Sequence, residues 1–283
     1  MNCRICWTWI LPCCVLVSAP ALAPGIVVTA NPDAYEAWDA PELSMVGFLS
    51  TSGGTSGALI SPKHVLTAAH AVPSYPGGTF TLREGDRSEV YSLVGCVKHP
   101  TADLAVVELD RSTGRSGYGL YTDGDEQGQL GWTVGYGVSG EGRPESSAYP
   151  RGVRRAGFNL IDGAAGGYLT MTFDGQVEGT MLLSAGTVSP QMSMDDVIPA
   201  DGDSGGPILV YKNGQWLLAG VHMTVSDFDR DNLRPELGDR AYDTRVSAYS
   251  GWVVQQVPEP GVLWLLGGGA AVTGLRRRRR KTA

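Results

Sequence analysis

At 283 residues the chain is long enough for one large domain or two small ones, with a core that needs no disulfide to hold it. Its 39 glycines, 17 prolines and 18% charged residues suit a strand-and-turn globule and exclude a helical bundle or a disordered chain. Between Ile26 and Gln256, 15 Lys+Arg stand against 28 Asp+Glu, a balance of −13 that excludes nucleic acid and anionic lipid as electrostatic partners of this part.

The chain opens with Met1-Asn-Cys-Arg4, an apolar stretch from Ile5 to Val17, and small residues up to Gly25. This is the layout of a cleaved secretory signal over residues 1–25, and the apolar run is too short to span a bilayer. Cys3, Cys6, Cys13 and Cys14 fall inside it, so Cys96 alone remains and no intramolecular disulfide can form. Cys96 reads as a buried small apolar residue, not as a nucleophile. Strand-like segments follow at Ser44–Leu49, Gly57–Ile60, Phe80–Leu82, Leu104–Leu109, Trp132–Gly135, Pro207–Tyr211 and Trp216–His222, separated by Gly, Pro, Asp and Ser. Many short strands with frequent turn signals predict an all-β sandwich or barrel. Two halves fit the length, with a join near Asp110–Thr122. The one clear helical pattern is Ser247–Gln256.

The end of the chain reads Val257-Pro258-Glu259-Pro260, an apolar stretch from Gly261 to Leu275, then five arginines and Lys281. The apolar run is short for a span, but the basic block behind it is a strong positive-inside stop signal. Pro258-Glu259-Pro260, a short hydrophobic helix and an Arg cluster resemble the PEP-CTERM sorting signal of Gram-negative bacteria. The resemblance implies a chain held transiently in the inner membrane, with its folded part on the periplasmic side. An exosortase would then release it toward the cell surface or the medium.

Three segments carry chemistry together. In Leu66-Thr67-Ala68-Ala69-His70, an imidazole follows the end of an apolar strand. In Ala102-Asp103-Leu104-Ala105-Val106-Val107, a carboxylate opens a buried strand, where it can accept an imidazole N–H. In Gly202-Asp203-Ser204-Gly205-Gly206-Pro207, a serine sits among glycines that permit a tight turn and a close approach of substrate backbone. A serine hydroxyl is a weak nucleophile until a base within hydrogen-bond reach takes its proton, and that base needs an orienting partner. Ser204, His70 and Asp103 can fill these roles, and the N–H groups of Gly202 and Ser204 can face a developing oxyanion. Alone, His70 reads as a structural histidine and Asp103 as a turn residue. The joint set in the order His, Asp, Ser distinguishes this arrangement from the subtilisin and α/β-hydrolase orders.

On these residues, most of Ile26–Gln256 resembles the trypsin-like (chymotrypsin-type) serine peptidases. Ser56-Gly57-Ala58-Leu59-Ile60-Ser61, Gly135-Tyr136-Gly137, and Asp243-Thr244-Arg245-Val246-Ser247 through Trp252-Val253 extend the match. The resemblance implies two six-stranded antiparallel β-barrels with the site between them, a short C-terminal helix, and a serine endopeptidase acting without cofactor or metal on protein or peptide substrates, as a monomer. It further implies that a free Ile26 amine pairs with Asp203, and the small residues of Ala23-Pro24-Gly25 suit signal peptidase cleavage directly before Ile26. Ile198 takes the position where Arg/Lys-preferring relatives carry an Asp, which argues against cationic P1 residues. His222 lies where glutamyl endopeptidases place a histidine at the S1 wall. Acidic Asp195, Asp196 and Asp201 nearby favour a small or apolar P1, with Glu second.

Ala71 and Thr55 stand where the family carries a bridged cysteine pair, and Ala200 stands where a third cysteine is common near the serine. Both partners of one bridge are lost together, as expected of a disulfide-free branch. A non-catalytic binding module on the same fold is the competing function, but such proteins lose the Ser or His. Asp227, Asp229 and Asp231 could hold calcium, yet they lack the glycine and final glutamate of an EF-hand loop and read as a solvated loop. His64, His99 and His222 have no zinc spacing.

Overall fold

The structure, a computed structural model, describes residues 26–257 apart from 29–31, 38–39, 52, 74–76, 142–150, 176–195 and 228–234. The predicted signal, the Pro258-Glu259-Pro260 motif with its apolar and basic tail, and Asp195, Asp229 and Asp231 lie outside the described residues.

The first half is a closed barrel. Its strands are β2 (Val46–Ser50), β3 (Gly54–Ser61), β4 (His64–Thr67), β5 (Thr79–Glu84), β6 (Arg87–Lys98) and β7 (Ala105–Leu109), following β1 (Val27–Val28). The order around the ring is β2-β3-β4-β7-β6-β5, antiparallel throughout, and β2 closes it by pairing with both β3 and β5. Leu49, Leu59, Val65, Phe80, Tyr91, Leu93 and Val107 fill the interior. In β6, Tyr91 and Leu93 point inward while Val90, Ser92 and Val94 face solvent, the period of a half-buried strand. By contrast, Ala105, Val106 and Val107 of β7 are all buried. Ala105 and Val107 face the barrel interior, and Val106 faces a second core shared with the other half.

The second half contains β8 (Gly119–Leu120), β9 (Leu130–Gly135), β10 (Arg155–Leu160), β11 (Gly163–Ala165), β12 (Tyr168–Thr172), β13 (Val197–Ile198), β14 (Pro207–Lys212), β15 (Gln215–Ser226) and β16 (Arg240–Arg245). Its main sheet runs β10-β9-β14-β15-β16-β12-β11, with β8 added parallel to β15. This is a barrel-like sheet of eight strands, where the family resemblance led us to expect a ring of six. The short β11 and the parallel β8 extend it. The connection between the halves starts after β7, as the sequence indicated, and β8 already belongs to the second half. β1 also belongs there, since it pairs with β13 through Val27 opposite Ile198.

One core cluster crosses the boundary. Val46, Ala58, Leu66 and Val106 from the first barrel meet Trp132, Val134, Leu209 and Val221 from the second. Each fully buried large side chain among them contributes about 1.5–3 kcal/mol. The helix α1 (Val246–Gln256) closes the assembly with Val246 and Val253 buried. It has no side-chain N-cap, and tertiary packing carries it. Among the described residues, no helix is long and apolar enough to cross a membrane.

Candidate active site

Each candidate side chain leaves the end of a buried strand. β4 runs through buried Val65, Leu66 and Thr67 into buried Ala68, and His70 emerges two residues later with an exposed ring. Asp103 sits in the bend before β7. Ser204 sits in the turn before β14, and β14 reads Pro-Ile-Leu-Val with all four residues buried.

These ends converge across the two barrels. His70 Nδ1 is 2.6 Å from Asp103 Oδ2, and the His70 backbone N–H donates to Asp103 Oδ1 at 2.8 Å. His70 Nε2 is 2.8 Å from Ser204 Oγ. The carboxylate therefore holds the His70 ring at Nδ1 and its backbone at N–H, and leaves Nε2 toward the hydroxyl. The Asp103 hydrogen bond raises the His70 imidazole above its ordinary value, and burial only partly offsets it. Burial pushes Asp103 up, but the His70 side-chain and backbone hydrogen bonds outweigh this and hold its carboxyl below the usual range.

The serine turn has a defined backbone pattern. Gly202 and Gly205 take φ +90° and +82°, a region closed to most side chains. A Cβ on Gly205 would also lie 1.9 Å from Thr67 Oγ1 and 2.4 Å from the Ser56 carbonyl oxygen. The N–H groups of Asp203, Gly205 and Gly206 donate to the carbonyls of Ala200, His222 and Asp203. Those of Gly202 and Ser204 have no acceptor among the described residues.

Asp203 is fully buried beneath this turn. Its Oδ2 accepts from the N–H of Ile26 and of Ala200, both at 2.8 Å, and its Oδ1 accepts from Gly137 N–H at 2.8 Å. Burial pushes the carboxyl up against the lowering effect of these donors and of His222. Ile26 is buried, its carbonyl accepts from Ser139 Oγ, and its φ is +65°.

Beside Ser204 lies a cavity of about 250 Å³ lined by Pro199, Ala200, Asp201, His222, Met223 and further residues of β15. His222 is therefore at the wall of this cavity. Ile198 packs in the second-half core opposite Val27 and is not among the lining side chains. His222 Nδ1 is 2.8 Å from Asp243 Oδ1, and both residues are buried. His222 Nε2 and Asp243 Oδ2 have no hydrogen-bond partner among the described residues. Burial pushes the Asp243 carboxyl up, opposed by its bond to His222.

The remaining candidates are accounted for locally. His64 Nδ1 is 2.7 Å from Ser61 Oγ, and His99 Nδ1 accepts the N–H of Thr101 and Ala102. Cys96 is half-buried against the first-barrel core, with its thiol pushed up by burial. No group of three or more metal-ligating side chains occurs among the described residues.

Residues 39–253 match the trypsin family model. The chain belongs to the trypsin family. Residues 256–280 match the PEP-CTERM protein-sorting motif, which implies export and sorting in Gram-negative bacteria. Two proteins from two strains of Corynebacterium glutamicum, both described as peptidases and one as uncharacterized, are each 28% identical over 186 residues, or 65% of this chain. The chain spans 58% of the length of these curated relatives.

Within this trypsin-family site, three residues were not singled out from the sequence. Asp243 was noted only within a family segment, yet it is the buried partner of His222. Ser56 and Thr244 bond directly to the segments that carry the triad candidates. The available signal was the occurrence of polar side chains at the inward positions of strands.

Proposed function

We propose that the chain is an exported serine endopeptidase using Ser204, His70 and Asp103, and one observation carries this reading: His70 holds Asp103 on one ring nitrogen at 2.6 Å and Ser204 on the other at 2.8 Å. Ser204 Oγ attacks the scissile carbonyl as its proton passes to His70 Nε2. Asp103 keeps the ring oriented and stabilises the imidazolium. The free N–H groups of Gly202 and Ser204 receive the oxyanion. His70 then protonates the leaving amine, and water hydrolyses the acyl-enzyme by the reverse sequence. No metal or cofactor enters these steps.

Activation follows from Ile26. A β-branched residue at φ +65° is strained within a continuous chain. That strain vanishes when the chain begins at Ile26, because φ depends on the preceding carbonyl. A free amine would also give buried Asp203 a cation in place of a neutral amide. Signal removal directly before Ile26 then generates the active form, and the residue 256–280 segment directs exosortase-dependent sorting. Specificity follows from a cavity wall of Pro199, Ala200 and Met223, whose Asp201 carboxylate is engaged by Arg151. Small or apolar P1 residues fit it, Glu comes second through His222, and Arg and Lys are disfavoured.

The test is labelling of the exported protein by a fluorophosphonate. The wild type should label on Ser204 and hydrolyse casein, and Ser204→Ala should do neither. A folded Ser204→Ala protein that retains peptidase activity, or a wild type that takes no label, refutes the reading. The second outcome would leave a binding module on this fold.

A further inference from the structure

The triad candidates come from both halves of the molecule, so their alignment depends on the relative pose of two barrels. His70 and Asp103 belong to the first, and Ser204 to the second. Two buried hydroxyls reach across this boundary in opposite directions.

From the first barrel, Ser56 in β3 engages the serine turn. Its backbone N–H donates to the Ser204 carbonyl at 3.0 Å, and its Oγ donates to the Gly202 carbonyl at 3.4 Å. The same Oγ accepts the Tyr136 N–H at 3.0 Å, so the hydroxyl is oriented by a second-half donor. Thr67 Oγ1 donates to the Ser56 carbonyl at 2.8 Å and stiffens β3 behind it. The Gly202 carbonyl lies in the peptide between the two units whose N–H groups are free. Holding it sets the direction in which those N–H groups point.

From the second half, Thr244 in β16 engages the Asp103 bend. Its Oγ1 donates to the Asp103 carbonyl at 3.0 Å, and Thr244 is buried. Within the first barrel the same bend is held by His99 Nδ1, which accepts the N–H of Thr101 and Ala102. Thr244 is therefore a hydrogen-bonded tie that references Asp103 to the barrel carrying Ser204.

We infer that Ser56 and Thr244 are reciprocal positioning residues: each barrel holds the other's catalytic segment through one buried hydroxyl, and together they fix the His70–Ser204 distance. Neither touches the reacting atoms. The inference rests on the proposed triad, and it predicts a defect in turnover and not in substrate capture.

Wild type, Ser56→Ala, Thr244→Val, Thr244→Ser and the Ser56→Ala/Thr244→Val double variant would be exported from full-length genes and purified. Turnover of p-nitrophenyl acetate, the rate of fluorophosphonate labelling and the melting temperature would be measured for each. Ser56→Ala and Thr244→Val should each lower kcat and labelling rate about 10- to 100-fold, the range set by ångström-scale misplacement. KM should stay within about twofold, as expected when ground-state binding is untouched. Thr244→Ser, which keeps the hydroxyl, should recover most of the loss. The double variant should lose less than the product of the single losses, because both ties report one shared pose. A folded Thr244→Val protein with wild-type kcat and labelling rate overturns the inference. Equal losses in Thr244→Val and Thr244→Ser overturn it too, since packing would then be the cause. A wild type that takes no label overturns the triad reading and the ties with it, whereas a labelled wild type with unaffected variants overturns the ties alone.

Discussion

Replacing Asp203 by Asn isolates the buried carboxylate beneath the serine turn. Asp203 accepts three N–H donors, from Ile26, Ala200 and Gly137, each at 2.8 Å. Hydrogen bonds to a charged acceptor contribute about 1.5–3 kcal/mol each, against about 0.5–1.5 for a neutral one. An Asn amide can present its oxygen to Ile26 and Ala200, but its NH₂ then faces the Gly137 N–H, donor against donor. The alternative flip is worse, because two donors lose their acceptor. Part of the loss is returned, since burial already disfavours the charged carboxylate. A net cost of about 2–4 kcal/mol to the ordered turn follows, or about 30- to 1000-fold in its population. The assay is active-site titration with a fluorophosphonate, together with kcat and the melting temperature. The titratable fraction and turnover should fall by that factor, while near-ultraviolet dichroism stays native in the remaining structure. One extra residue left before Ile26 should act in the same direction, and the two changes should be less than additive. Turnover within threefold of wild type in Asp203→Asn would refute the reasoning.

Three further outcomes are expected. Because Asp103 raises the His70 imidazole, the acid limb of kcat/KM should have its midpoint above the unperturbed value of about 6.5. Asp103→Asn should move that limb downward and lower kcat by about 10⁴, read from a pH–rate profile. Gly135→Ala would place a methyl 1.9 Å from Asp203 Oδ1, so the variant should show a sharply lower soluble yield and melting temperature, with labelling lost. Burial pushes the Asp196 carboxyl to about 7, opposed by donation from the N–H of Asp174 and Gly175. The native state therefore binds a proton that the unfolded chain, near 3.9, has released, and this term of stability declines as pH rises from about 4 to 7 and levels above. Asp196→Asn should flatten that slope in urea midpoints measured from pH 4 to 8.

What the sequence made legible follows from how far each constraint reaches along the chain. His70, Asp103 and Ser204 were readable because each sits in a short segment whose composition the local chemistry restricts, such as the glycines around Ser204. β7 and β14 were readable because strands buried on both faces become continuous apolar runs. β6 was not, because only Tyr91 and Leu93 of its twelve residues are buried and a bulge between Leu93 and Gly95 interrupts the alternation. Nor were β10 and β12 distinguished from the turns around them. Ser56 and Thr244 showed only as polar residues in strand segments, and their partners were not legible, since Thr244 lies 141 positions from Asp103. The absent disulfide shows the same division. The loss of cysteine at positions 55 and 71 is plain in the sequence, but its replacement is visible only in three dimensions: Thr51 Oγ1 donates to the Ala71 carbonyl at 3.0 Å, while Ala71 itself is buried in the shared core. Where the family resemblance implies a covalent link to β3, a hydrogen bond from Thr51, between β2 and β3, and apolar contact hold the histidine loop, so the placement of His70 depends on the same interbarrel packing that places Ser204.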